Sequence, residues 1–124
     1  MRVEPVPKST VTFGYKHPVK TYYLKGKIPL VKDFYGGDLR PDTATIEHLL
    51  PVSKGGKTTT SNVVISNRHN NELRSNFPLK DFINFEAMEE YLAVFEKIDL
   101  PGLNGKAYAD AIRRTVHKLI GENR

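Results

Sequence analysis

Apolar residues recur at three- and four-residue steps in two stretches near the C-terminus. Phe85, Met88, Leu92, Phe95 and Ile98 predict an amphipathic helix over 85–98, with Asn84 placed to cap it. Tyr108, Ile112, Val116 and Leu119 predict a second helix over 106–120, with Gly121 as its stop. Upstream the pattern changes from helical to extended. Ile46, Leu49 and Leu50 form a β-compatible run closed by Pro51, and Val63-Val64-Ile65 form another. Between these runs lies a loop carrying Gly55-Gly56. Ser66 or Asn67 can cap a short helix from Arg68, whose Asn70, Asn71, Glu72 and Arg74 are too polar to fill a core. Near the N-terminus, Val11-Thr12-Phe13 and Thr21-Tyr22-Tyr23-Leu24 are β-prone, and Gly26 can turn the chain towards Ile28-Pro29-Leu30-Val31. Phe34-Tyr35-Gly36-Gly37-Asp38 reads as a turn cluster, with turn or capping roles for Asp38 and Asp42. These elements predict a single α+β domain spanning 1–124, with an N-terminal β-rich segment and two C-terminal helices.

Length and charge narrow the picture. At 124 residues, with 39% hydrophobic and 27% charged positions, the chain has the composition of a folded domain without room for a second core. Its net charge of +5 suits a polyanionic partner. Residues 1–32 carry seven Lys or Arg against one acid, Glu4. Lysines interleaved with Tyr15, Tyr22 and Tyr23 there fit either a nucleic-acid backbone face or a solvated strand with core tyrosines. His17, before Pro18, reads as a surface residue. Arg113, Arg114, His117 and Lys118 lie off the apolar stripe of the last helix, as a second nucleic-acid surface or as a solvated basic face. Glu86, Glu89, Glu90 and Glu96 should turn the preceding helix away from phosphates. No Cys is present, so no disulfide can form. The sequence has no apolar run of membrane-spanning length and no signal-peptide core, which predicts a cytoplasmic protein without membrane contact, in a bacterial cell or a phage-infected host.

The candidate chemistry lies between Thr43 and Asn76. Glu47-His48-Leu49-Leu50-Pro51, Ser53-Lys54-Gly55-Gly56, Asn62-Val63-Val64 and then Asn71 with Arg74 follow one another at fixed spacing. A near-neutral imidazole can take a proton from water, and carboxylate and amide oxygens suit a hard divalent ion. In this spacing the chain resembles the HNH, or ββα-metal (His-Me finger), endonucleases. The resemblance implies a ββα-metal core over about 43–76 and metal-dependent hydrolysis of DNA, double-stranded by preference, leaving 5′-phosphate and 3′-hydroxyl ends. It implies His48 as general base and Glu47 and Asn71 as ligands of one Mg²⁺ or Mn²⁺. Asn62 would brace the loop behind His48, and Arg74, Arg68, Lys54 and Lys57 would meet the DNA. His69 sits two positions too early to be the helix ligand. Many members hold this core with two Cys pairs around zinc. Here Asn67 and Asn70 stand at the second pair, so a fold without structural zinc is expected. Sequence specificity is expected to be low or short, with monomer and homodimer both open. The alternative is a non-catalytic nucleic-acid-binding module on the same scaffold. One geometric demand follows: neighbours in a regular strand face opposite ways, so Glu47 and His48 can share a pocket only where the strand twists or ends.

Overall fold

A computed structural model describes residues 17–75 and 77–121. The first element is a helix, α1 (Pro18–Leu24), where the sequence predicts a strand. Pro18 supplies a helical φ at the first position, and Nδ1 of His17 accepts a hydrogen bond from the Val19 N–H (3.3 Å). Val19 and Tyr23, one turn apart, are then buried together. Burial of that pair outweighs the β preference of Thr21-Tyr22-Tyr23, which is a weak local bias. The predicted N-terminal β-rich segment is therefore corrected over 17–40: helix α1 is followed by irregular chain with one β-bridge, Lys32 to Asp38. Gly26 does turn the chain, at φ +75°. Val11-Thr12-Phe13 lies outside the described residues. His17 is not a surface residue; it is only 6% exposed.

Strands β1 (Ala44–His48) and β2 (Val63–Asn67) pair antiparallel, from Ala44 opposite Asn67 to His48 opposite Val63. Helix α2 (Arg68–Arg74) follows at once and packs on both strands, with Asn67 Oδ1 accepting from the Asn70 N–H (2.7 Å) as its cap. Among the described residues, strand β2 has no strand on its other side. Its polar groups there are met by side chains and loop: the Tyr91 hydroxyl accepts from Ile65 N (3.0 Å), the Tyr108 hydroxyl donates to Val63 O (2.7 Å), and Phe34 N donates to Ile65 O (3.0 Å). A buried strand edge without such partners would carry several unsatisfied groups.

Helices α3 (Phe85–Phe95) and α4 (Gly105–Gly121) supply those tyrosines and close the core, joined through the hairpin β3 (Asp99–Leu100) and β4 (Leu103–Asn104). Helix α3 stops three residues before Ile98, because Ile98 turns back to receive the Gly105 N–H on its carbonyl (2.7 Å). Its buried face is Met88, Tyr91, Leu92 and Phe95, while Phe85 is exposed. Arg113 of α4 binds Glu89 (2.8 Å) of α3's outer face, Glu96 (2.7 Å) at its C-cap, and Asp110 (3.4 Å). These contacts hold its guanidinium charged, far above even its usual range. The described residues form an α+β arrangement of four α-helices and two small antiparallel sheets around one cluster of buried side chains. No helix among the described residues is long and apolar enough to cross a membrane.

The segment before β1 is anchored by one carboxylate. Asp33 is fully buried: Oδ1 accepts from Tyr35 N (3.0 Å) and Gly37 N (2.8 Å), and Oδ2 from Asn67 N (2.8 Å), Ser66 Oγ (3.2 Å) and Asn70 Nδ2 (3.1 Å). Asn67 Nδ2 also donates to Asp38 O (2.8 Å). Asn67 and Asn70 thus join the β2–α2 junction to the 33–38 turn by hydrogen bonds to oxygen. Asp33→Ala removes the acceptor of three half-buried backbone N–H groups, and is expected to lower unfolding free energy by about 3 kcal/mol. Urea unfolding followed by circular dichroism reads this directly; a shift below about 0.5 kcal/mol would show that the anchor is dispensable.

Candidate active site

The ladder of β1 ends at His48, and Leu49 and Leu50 bend away before Pro51. Glu47, His48 and Asn71 all line one solvent-open cavity of about 230 Å³ there, with Val52, Ser53 and Ser75 at its margin. Three consecutive residues, Ile46, Glu47 and His48, border it, which one face of a regularly alternating strand could not supply.

Each side chain is positioned by a different element. Glu47 is 5% exposed; its Oε2 accepts from the Tyr35 hydroxyl and from Arg74 Nη1 (3.1 Å). Burial pushes the Glu47 carboxyl above its usual value, and the Tyr35 and Arg74 donors oppose that shift. The Tyr35 phenol is driven far upward, by burial first and by the Glu47 charge second, so it stays a donor. Asn71 of α2 spends its Nδ2 on Thr45 Oγ1 (2.9 Å) and Ile46 O (3.1 Å), which leaves Oδ1 as the donor atom it can offer a cation. His48 is half-buried, with Nε2 2.8 Å from Thr58 Oγ1. Burial lowers its pKa below the ordinary imidazole value, so the ring is neutral at pH 7. If Nε2 carries the proton and gives it to Thr58, Nδ1 is the basic nitrogen.

The loop behind His48 is held by Asn62. Its Oδ1 accepts from Leu50 N (2.8 Å), and its Nδ2 donates to Leu50 O (3.1 Å) and Lys57 O (2.9 Å). Gly56 lies so close under this turn that a Cβ would sit 1.7 Å from Leu50 O, so no other residue fits without moving the loop. On the nuclease expectation drawn from the sequence, Asn62→Ala should slow cleavage by about 10- to 100-fold while leaving duplex affinity within a few-fold, since it loosens a support and leaves the exposed loop lysines in place. Equal losses in affinity and turnover would instead place Asn62 against the DNA.

The basic residues divide. Arg74 is corrected as a phosphate contact: it is 1% exposed, and besides Glu47 its guanidinium donates to His48 O (2.9 Å), Leu49 O (2.9 Å) and Phe77 O (3.0 Å). It fixes the backbone where β1 leaves the ladder. Lys54 and Lys57 are exposed on the loop next to the cavity. Arg68 is exposed too, but its N–H donates to Thr43 O (2.8 Å) and so marks the far end of β1, about 17 Å from His48 along the strand. There Arg68 and His69 border a separate open cavity with Arg40 and Glu72.

Among the described residues no three His, Cys, Asp or Glu side chains come together as a ligand group. The donors at the cavity are instead one carboxylate and one amide oxygen, a set suited to a hydrated Mg²⁺ or Mn²⁺ that keeps several waters. Comparison with protein-family models, curated proteins and solved structures finds no match. Function is therefore inferred from this geometry and from the spacing of the residues that form it.

Sequence reasoning missed three participants. Tyr35 lay in a run that reads as a turn, and no local signal marks a tyrosine that will reach a carboxylate twelve positions on. Thr58 is one of three consecutive threonines in a polar loop. His17 is buried, with Nε2 lacking a partner among the described residues; burial first, and the nearby His48 second, lower its basicity, against the opposing Thr59 backbone. The His-Pro start of a helix was its only signal.

Proposed function

We propose that this chain is a metal-dependent endonuclease that hydrolyses DNA phosphodiester bonds, its β1–β2–α2 unit serving as a ββα-metal core of the HNH type. The observation that carries the proposal is the meeting of Glu47, His48 and Asn71, up to 24 positions apart in the chain, at one solvent-open cavity. Neutral His48 takes a proton from a water as that water attacks phosphorus; the P–O3′ bond breaks and the departing 3′ oxygen takes a proton from solvent water, leaving a 5′-phosphate and a 3′-hydroxyl. Glu47 and Asn71 Oδ1 would hold the divalent ion, which when bound stabilises charge on the phosphate and the departing oxygen. Arg74 and Tyr35 keep the Glu47 carboxylate in place, and Asn62 keeps the loop that faces His48. Lys54 and Lys57 lie where they can meet phosphates beside the scissile bond, with Arg68 farther along.

One observation favours a second reading. Glu47 Oε2 already carries two donors, as in a purely structural ion pair. In that reading the same scaffold docks nucleic acid without cutting it. Incubating supercoiled plasmid with Mg²⁺, Mn²⁺ or chelator separates the two. The nuclease nicks with at least one ion and stops with chelator, whereas absence of cutting under every ion would leave the docking module.

A further inference from the structure

Helix α4 runs beside the loop that holds Lys54 and Lys57. Thr115 Oγ1 donates to Ser61 O (2.6 Å), Arg114 shares an open cavity of about 340 Å³ with Thr60, and Leu119 shares another with Lys54. One turn of α4 therefore follows the loop closely. Its cations are sorted by that docking. Arg113 points to α3 and is neutralised there by Glu89, Glu96 and Asp110. Arg114 and Lys118, spaced i,i+4 on an exposed edge, pair with no carboxylate among the described residues. Asp110, the acid one turn before Arg114, is engaged by Lys106 (3.5 Å) and Arg113. The carboxylates thus collect on the α3 side of α4, and the positive charge on the loop side.

We infer that Arg114 and Lys118 extend the loop lysines into a phosphate-binding rail, along which the nucleic acid flanking the cleavage point lies against α4. This rests on the nuclease reading for its partner, and adds a surface outside the β1–β2–α2 unit. The two positions are separated by about 6 Å of helix rise, close to the axial distance across two nucleotides of one strand. An interaction of this kind is electrostatic and indifferent to sequence, so it should show in the salt dependence of binding.

The test is fluorescence anisotropy of a labelled 20-base-pair duplex in EDTA, where no cleavage occurs, over a series of salt concentrations. The variants are Arg114→Gln/Lys118→Gln and a control, Lys97→Gln/Lys106→Gln, which removes equal charge from exposed positions outside the rail. The rail variant is expected to flatten the slope of log K against log salt by about 2, at about 0.9 for each phosphate no longer neutralised. The control should change it by less than about 0.5, and both should melt like the wild type because all four side chains are exposed. Equal slopes in the two variants, with wild-type plasmid nicking intact, overturn the rail and leave the nuclease standing. A wild type that neither binds duplex nor nicks plasmid overturns both. Phosphatidylserine vesicles form a second arm: vesicle binding abolished in the rail variant while duplex binding is unchanged would assign the surface to lipid and refute the inference.

Discussion

Replacing His48 with alanine is expected to lower plasmid nicking by about 10²- to 10⁴-fold while leaving the affinity for duplex DNA within a few-fold of wild type. The loss falls on turnover because the imidazole borders the cavity and contacts Thr58, and is not one of the exposed cations that would hold phosphates. The pH profile gives an independent check. Only the neutral ring accepts a proton, and burial lowers the pKa of His48; the acid limb of the wild-type rate should therefore lie below pH 6.5, with activity surviving further into acid than an unperturbed histidine allows. A His48→Ala protein that nicks at the wild-type rate with the same metal dependence would remove His48 from the chemistry.

Arg74→Met should cost about 3–5 kcal/mol of stability, a large share of the 5–15 kcal/mol typical of a folded domain. Methionine fills much of the same space, so the effect isolates the guanidinium. Its loss leaves the Glu47 carboxylate buried beside a single donor, Tyr35, and strips charged donors from three backbone carbonyls at His48, Leu49 and Phe77. Arg74→Lys should be nearly as damaging, since one ammonium cannot span four acceptors in different directions. Glu47→Gln in the Arg74→Met background should recover part of the stability, because it removes the unpaired charge. Urea midpoints by circular dichroism decide the matter. An Arg74→Met protein with a wild-type midpoint and weakened DNA binding would return Arg74 to the phosphate-contacting role that its spacing in the sequence suggested.

The contrast between Arg74 and Asn62 shows how far residue spacing reaches. Asn62 bonds to Leu50 and Lys57, residues of the loop its position pointed to, and a polar side chain flanking a tight turn has few other places to bond. Arg74 sits at the register position expected, yet α2 turns that position inward, and a long side chain reached backbone carbonyls before it reached solvent. Thr21-Tyr22-Tyr23 shows the same limit for secondary structure. Its β preference is worth little beside the burial of Val19 and Tyr23, and those two share a face only when the segment is helical.

By itself the sequence determined the extended runs around Ile46 and Val64, the short polar helix capped at Asn67, the two amphipathic helices and the choice of Glu47, His48 and Asn71, which share one cavity. These follow from side-chain period, turn chemistry and caps, which act over a few neighbours. Only the tertiary structure decided which cations face outward, that Tyr35 and Arg74 clasp Glu47, that Asp33 anchors the segment before β1, and that His17 lies under the Thr59 backbone. Those contacts join residues 12 to 42 positions apart. Their existence depends on which buried polar groups still lack partners once the helices have packed, and no window of local sequence contains that information.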